Sequence, residues 1–334
     1  MNLQRIRSQA ARHFAGALAL LVLFFAVVWV GVHALASGFG SGGNVPQFID
    51  VTLNGLTLAG LYFIVASGFT LIFGLLRTVN MAHGSFYLLG GYIGYEVLQH
   101  SSINYWIAAL VAALTIGVFG LAVQQVFLRW NQGQDLRQAL ITIALSIIIG
   151  DQMLSLFGGE ATSINAPAPF AGSVKIVYGI VYPSFRLVVL GVAILVGIAL
   201  WLLIKRTRFG MLVRAGVDDR GMTAALGVNV QVVFAITFFI GAALAGLGGI
   251  LGGTMIALAP GQDSTFLLSS LVVVIIGGLG SLGGAVVGAL ALGLVDQLSF
   301  IYLPPGYQNY SIVLTFALLV FVLATRPQGL FGRQ

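Results

Sequence analysis

KRTRFGMLVRAGVDDRGMTAALGVN, residues 205–229, gathers five of the chain's fifteen Lys and Arg residues and two of its nine acidic ones. The sequence around it is apolar. Only 7% of the 334 residues are charged and 59% are hydrophobic, with a mean hydropathy of +1.03. Soluble globular chains carry about 25% charged residues, so the solvent that suits this surface is lipid. A charged island in such a chain marks a loop held outside the bilayer, and working outward from it orders the rest.

A helical span needs roughly 17–25 mostly apolar residues. Candidate segments are about 14–36, 51–76, 79–99, 106–128, 138–158, 186–204, 231–256, 266–280, 283–302 and 309–325. Segment 266–280 is short and runs into GGLGSLGG, which reads as a broken or re-entrant helix. The fold class is therefore all-α: a polytopic transmembrane bundle of 8–10 spans. Residues 1–13 read as a tail, 14–326 as one transmembrane domain with a cytoplasmic loop at 205–230, and 327–334 as a second tail.

Positive residues concentrate in loops on the cytoplasmic side. With the N-terminus inside and ten crossings, Arg5, Arg7, Arg12, Arg77, Arg129, Arg137, the five basic residues of 205–229, Arg326 and Arg333 fall on one side. Lys175 and Arg186 alone fall on the other. Both termini are then cytoplasmic, and an eight-span version with 266–302 as a hairpin keeps that parity. The N-terminal Arg residues, apolar run and Ala34-Leu35-Ala36 superficially match a signal peptide, but 14–32 exceeds the usual apolar core of about 7–15 residues. A retained first span is the reading taken.

Several function classes drop out. There is no cysteine, and the four His (13, 33, 83 and 100) lack ligand spacing, so no metal site is expected. The charge of +6 forms no basic face with interleaved aromatics, so nucleic acid is not an expected partner. Neither Lys175 nor Lys205 lies in a G-x-x-x-x-G-K-[ST] loop. An ion gradient usually leaves ionisable groups in mid-membrane, and the candidates are Glu96, Asp151 and Asp296 with His83 nearer a cytoplasmic end. Asp151 lies deepest in its segment; a hydrogen-bonded structural role for it is equally consistent with the sequence. An ion-coupled carrier of a small solute stays open as the alternative.

Small residues let helices approach closely in lipid. Gly241, Ala245, Gly249 and Gly253 lie four apart on one face, and Gly277, Gly280, Gly284 and Gly288 form a second series. Either tight packing or a sliding, pathway-lining face fits this pattern. Within the opening stretch, Asp218 and Asp219 suit the first turn of a short helix over 219–226, and Gly227 suits its stop. Such a helix fits a docking knob for a partner protein and a helix lying on anionic lipid equally well.

Arg214-Ala215, then Met222 to Asn229, followed by a long apolar helix, resembles the coupling loop of bacterial ABC-importer permeases. NGLTLAGLYFIVASGFTLIFGLLRTVNMAHGSFYLLGGY (54–92) is similar to the N-terminal half of the shorter permease subunit of branched-chain amino acid importers. Its Gly68-Phe69-Thr70-Leu71-Ile72-Phe73-Gly74 run and Asn80-Met81-Ala82-His83-Gly84 motif carry the likeness, with GGLGSLGGAVVGAL (277–290) and RPQGLFGR (326–333) in register. The N-terminal extension and the bulk of Phe69 and Phe73 depart from the family pattern. Relatives also carry urea or short amides.

The resemblance implies a multi-pass subunit of the bacterial inner membrane that is not an enzyme. It would pair with a second homologous permease, two cytoplasmic ATPases and a periplasmic substrate-binding protein. No cofactor is expected on this chain, ATP and Mg being held by the ATPases. Coupling would fall to Arg214, Asp218, Asp219, Arg220, Ala225 and Gly227. Asn54, Thr57, Thr70, Asn80, His83 and Asp151 are the candidate pathway residues.

Overall fold

Nine of the ten apolar segments are helices in the computed structural model, which describes Val32, Ala36 and residues 44–76, 80–304 and 306–332. The expected tail 1–13, nearly all of segment 14–36, Arg77 and Arg333 lie outside the described residues, as do the side chains of Leu75, Leu76, Asp218 and Arg220. The helices are α1 (Val45–Leu76), α2 (His83–His100), α3 (Tyr105–Val123), α4 (Asp135–Phe157), α5 (Ser184–Arg206), α6 (Arg208–Asp218), α7 (Arg220–Ala225), α8 (Val230–Met255), α9 (Gln262–Gly277), α10 (Leu282–Tyr302) and α11 (Ser311–Thr325). The long loop after α4 folds a small antiparallel hairpin, β1 (Ser173–Lys175) with β2 (Val181–Pro183). A π turn and a 3-10 turn prolong α3 to Asn131.

Seven helices among the described residues are long and apolar enough to cross a membrane. The two that fall short, α2 and α9, pack among other helices: α2 against α3, α8 and α9, and α9 against α1 and α10. Segment 79–99, expected as a simple crossing, begins its helix only at His83. The His83 Nε2 atom lies 2.9 Å from the Val65 carbonyl, eleven residues before α1 ends, or about 16 Å of helix. The chain therefore doubles back after α1 and starts α2 inside the bundle. At 16 residues, α9 is only about 24 Å long. Its first turn meets the start of α2, where a Cβ on Gly84 would strike the Asp263 carbonyl. This fits the broken-helix reading of 266–280.

The core is α1 and α8 with α2, α9 and α10 around them. Of α1's most apolar window 83% is buried, against 17% for α4, α5 and α11, so the latter three keep a face for lipid or another subunit. Glycine sets how close the core helices come. A Cβ on Gly241 would lie 2.7 Å from the Gly68 carbonyl. One on Gly249 would strike the Tyr87 carbonyl, and one on Gly288 the Val273 carbonyl. Gly253 lies against Leu258 and Ile164, and Ala245 is fully buried. Gly277 meets Gly284, and Gly280 meets Gly74, with a Cβ 3.0 Å from its Cα. Backbones this close gain dispersion at many atom pairs, each worth only about 0.1–0.2 kcal/mol.

The GGLGSLGG stretch is thus the tight corner between α9 and α10. The C-terminal RPQGLFGR folds back on it: Leu330 N donates to Ile276 O at 2.8 Å and Phe331 N to Gly277 O at 2.9 Å. Basic residues segregate along the bundle. Arg129 and Arg137 lie beside the turn whose Gln132 bonds Gln231 at the start of α8, at the same end as Lys205, Arg206, Arg208 and Arg214. Arg326 precedes the C-terminal strip against α9's last turn. Lys175 in β1 and Arg186 in the first turn of α5 occupy the opposite end.

Gly249→Leu should lower the melting temperature of the detergent-purified protein, because over-packing costs about 1–3 kcal/mol. Gly191→Ala, on α5 with nothing within 4 Å of the added methyl, should leave it unmoved. A scanning-fluorimetry comparison of the two checks the distinction.

Candidate functional site

Residues 207–229 form a rigid elbow. Thr207 caps α6, its Oγ1 accepting from Gly210 N at 3.1 Å, and α6 turns so sharply off α5 that a Cβ on Gly210 would strike the Ile204 carbonyl. Arg214 donates back to that same carbonyl. Asp219 then caps α7, its Oδ1 accepting from Met222 N at 3.0 Å, as short polar side chains do at helix starts. The stop is a Schellman motif: Gly227 N donates to Ala224 O at 3.0 Å and Val228 N to Thr223 O at 3.4 Å. Gly227 supplies the φ of +83° that this closure needs. Asp218 ends α6 and Arg220 begins α7. Met211, Ala225, Met222 and Leu226 are exposed, Leu226 at 75%. An apolar tip held by caps at both ends is built for contact.

A second polar group lies where α2 begins. Asn80 Oδ1 accepts from Ala82 N at 3.1 Å, and the Asn80 carbonyl accepts from His83 N at 3.2 Å. Both side chains are buried, and Asn80 Nδ2 and His83 Nδ1 have no protein partner. His83 also stands edge-on to Phe69, centroids 5.3 Å apart. Thr70 is near them in sequence, but its hydroxyl is spent on the Ala66 carbonyl at 2.7 Å.

A third group sits at the opposite end from the elbow. Asn54 Nδ2 donates to Asp50 Oδ2 at 3.3 Å, and Arg186 donates to Asn54 Oδ1. One turn on, Thr57 Oγ1 shares a 3.0 Å hydrogen bond with the Tyr182 hydroxyl. Burial pushes the Tyr182 phenol above its ordinary pKa, partly opposed by Thr57 and Arg186. This network ties the β-hairpin and α5 to α1.

The fourth is a cleft of about 300 Å³ between α2, α4 and the turn into α9. Asp151 opens into it from α4, with Asp263 from α9; Leu88, Tyr92, Ile147 and Met153 give it apolar walls. Ser85 and Ser146 share a 2.7 Å hydrogen bond, and Ser85 Oγ also donates to Asp263 Oδ2 at 3.5 Å.

The six pathway candidates therefore occupy three places. Asn54 and Thr57 share one, Asn80 and His83 another beside Thr70, and Asp151 stands apart in the cleft. Sequence reasoning did not single out Asp263, an acidic residue in the first turn of α9. It also missed Asp50, four residues before Asn54, and named Asp296 without its partner, Tyr62, which donates to Asp296 Oδ2 at 3.2 Å. The Asp50 contact is local, one helical turn away, whereas those of Asp263 and Asp296 arise only from long-range packing. Among the described residues no three His, Asp or Glu side chains group as a metal site would require.

A bundle of membrane-crossing helices, with the shorter α2 and α9 packed among them and an apolar elbow at one end, is the architecture of a multi-pass membrane protein. The chain belongs to the family described as branched-chain amino acid transport system / permease component, whose pattern matches residues 51–323. It is 30% identical over 302 residues to the high-affinity branched-chain amino acid transport system permease protein BraD of Pseudomonas aeruginosa, covering 87% of this chain and 97% of that one. To the LivH permease protein of Escherichia coli K12 it is 30% identical over 300 residues, 86% of this chain and 96% of the relative. The LivM permease protein of the same organism is more distant, 24% identical over 303 residues, 84% of this chain and 69% of the relative. The chain is a permease subunit of a transport system, not an enzyme, and works beside other subunits.

Asp219→Ala should cost about 1 kcal/mol of local stability. Amide hydrogen exchange over 220–226 should accelerate about fivefold, as that energy implies, with α8 and α10 unchanged.

Proposed function

We propose that this chain is one permease half of an ATP-driven importer of branched-chain amino acids in the bacterial inner membrane, with residues 207–229 and both termini on the cytoplasmic side. A homologous permease completes the membrane half. Two cytoplasmic ATPases hold ATP and Mg and dock on the elbows, and a periplasmic binding protein delivers the solute. The likeness to both LivH and LivM supports pairing of two different permeases. The basic residues gathered at the elbow end favour that end as cytoplasmic.

The observation that carries the reading is the capped α6–α7 elbow. Capping fixes the two short helices in one geometry, the stiffness that a lever needs. The tip offers Met222 and Leu226, while Arg214 bonds α6 to the last turn of α5. Closure of the ATPases would push on α7, turn α6 and move α5, which packs along α1. α1 in turn contacts α8, α9 and α10, so the push reaches the core helices, and access alternates between the two membrane faces. Asp219 and Gly227 keep the lever stiff; Asp218, Arg220 and Ala225 lie within it.

In proteoliposomes with its partner subunits, Gly227→Val should leave the chain assembled but cut ATP-driven leucine uptake at least tenfold relative to ATP hydrolysis; unchanged coupling would defeat the lever. Because the chain has no cysteine, Met222→Cys gives a clean test of sidedness. A membrane-impermeant maleimide should label it in inside-out vesicles and not in intact cells lacking their outer membrane.

A further inference from the structure

We propose that the corner where α5 meets α6 is a site for the phosphodiester headgroup of an anionic phospholipid, which fastens the base of the elbow to the membrane. Lys205 and Arg206 end α5, Arg208 opens α6, and Thr207 alone separates them. All three cations are exposed. Among the described residues none of them has a hydrogen-bond or ion-pair partner in the protein. The carboxylates nearest along the chain, Asp218 and Asp219, stand at the far end of α6, about 15 Å on. Basic side chains at the end of a membrane span meet the anionic surface of the bilayer, and a guanidinium can bond a phosphate through two N–H groups at once.

The surface beneath these cations has the shape of a lipid's partner. Leu195, Ile198, Trp201 and Leu202 are exposed, and their spacing lays them along one face of α5 that leads to Lys205 and Arg206. The Arg206 guanidinium lies over the Trp201 ring, 6.0 Å from its centroid, which holds its charge above the apolar stripe. An acyl chain fits the stripe, and its headgroup then meets the cations. The pairing of Arg with Trp recurs at the same end, where Arg129 lies over Trp130 at 5.6 Å. At the opposite end Trp106 packs on Tyr105 and Phe170 instead. Tryptophan settles at the headgroup level of a bilayer, so the paired Arg residues stand at the height of the phosphates. A headgroup held by Arg206 and Arg208 together spans the joint at Thr207, beside the Ile204 carbonyl that Arg214 bonds. It therefore fixes the angle between α5 and α6 from the lipid side.

The test uses Trp201 as the reporter. Trp29→Phe, Trp106→Phe and Trp130→Phe leave it the sole tryptophan of the full chain. In reconstituted bilayers, brominated phosphatidylglycerol should quench it at roughly tenfold lower mole fraction than brominated phosphatidylcholine, since each basic residue at an anionic surface adds to the preference. Lys205→Gln, Arg206→Gln and Arg208→Gln together should bring the two lipids level. Quenching by brominated phosphatidylcholine should persist in that variant, showing α5 still in the bilayer. Amide exchange over 205–212 should be slower in phosphatidylglycerol than in phosphatidylcholine, by about threefold, and the triple variant should lose the difference. Equal quenching of the parent by both lipids would give these cations to another partner, such as an acidic protein face, and overturn the site. Quenching by neither lipid would show protein over the stripe and overturn it as well. A preference for phosphatidylglycerol with exchange unchanged would overturn the fastening of the elbow.

Discussion

Backbone-on-backbone contact at glycine is the constraint on which the rest of this structure depends. Lipid supplies no hydrophobic force between helices, so α1, α2, α8, α9 and α10 cohere by approach distance. Gly68 against Gly241 and Gly249 against the Tyr87 carbonyl bring α8 onto both α1 and α2. That closeness lets two helices begin inside the bundle instead of at its ends. With α2 and α9 enclosed by protein, their loops need not face lipid, where unsatisfied backbone is untenable. The glycine seams thus create the protein-lined interior in which polar side chains can sit.

Polar residues then divide by what satisfies them. Thr70 bonds its own helix, and Asn54, Thr57, Arg186 and Tyr182 satisfy one another. Such groups hold elements together. Asn80 Nδ2, His83 Nδ1 and the Tyr87 and Tyr92 hydroxyls, all in α2 or the turn before it, are buried without a protein partner, as are polar atoms of Gln124, Gln262 and Thr315. Such groups carry a desolvation cost that the packing around them must offset.

The helices themselves were legible in the sequence because lipid demands long apolar runs, and their bounds differ by only a few residues. Asp219 and Gly227 were legible as a start and stop because capping chemistry is local. What escaped was every contact made across helices. Nothing within 79–99 reveals that its helix starts beside Val65, since that depends on where Gly84 meets Asp263. Tyr62 with Asp296, Ser85 with Ser146 and Asp263 beside Gly150 join residues dozens to hundreds of positions apart. A single sequence records a residue's neighbours along the chain, and these partners arise only from packing.

The same seams that give cohesion explain how a push at the elbow can travel. A core filled by interlocking large side chains resists sliding, because each displacement opens a void on one side and a clash on the other. A seam of glycines presents smooth backbone to smooth backbone, with few knobs to lift over. α1 carries this property on three sides: Gly68 faces α8, Gly55 faces α10 and Gly60 faces α5. α5 is the helix that Arg214 fastens to the elbow. A lever fixed to α5 therefore acts on α1 through a small-residue contact, Gly60 against Ala193, and α1 can shift against α8 and α10 at its other glycines. Stiffness at the elbow and smoothness along the seams are complementary requirements. The sequence meets both by placing its capping residues in 207–229 and its glycines along the crossings.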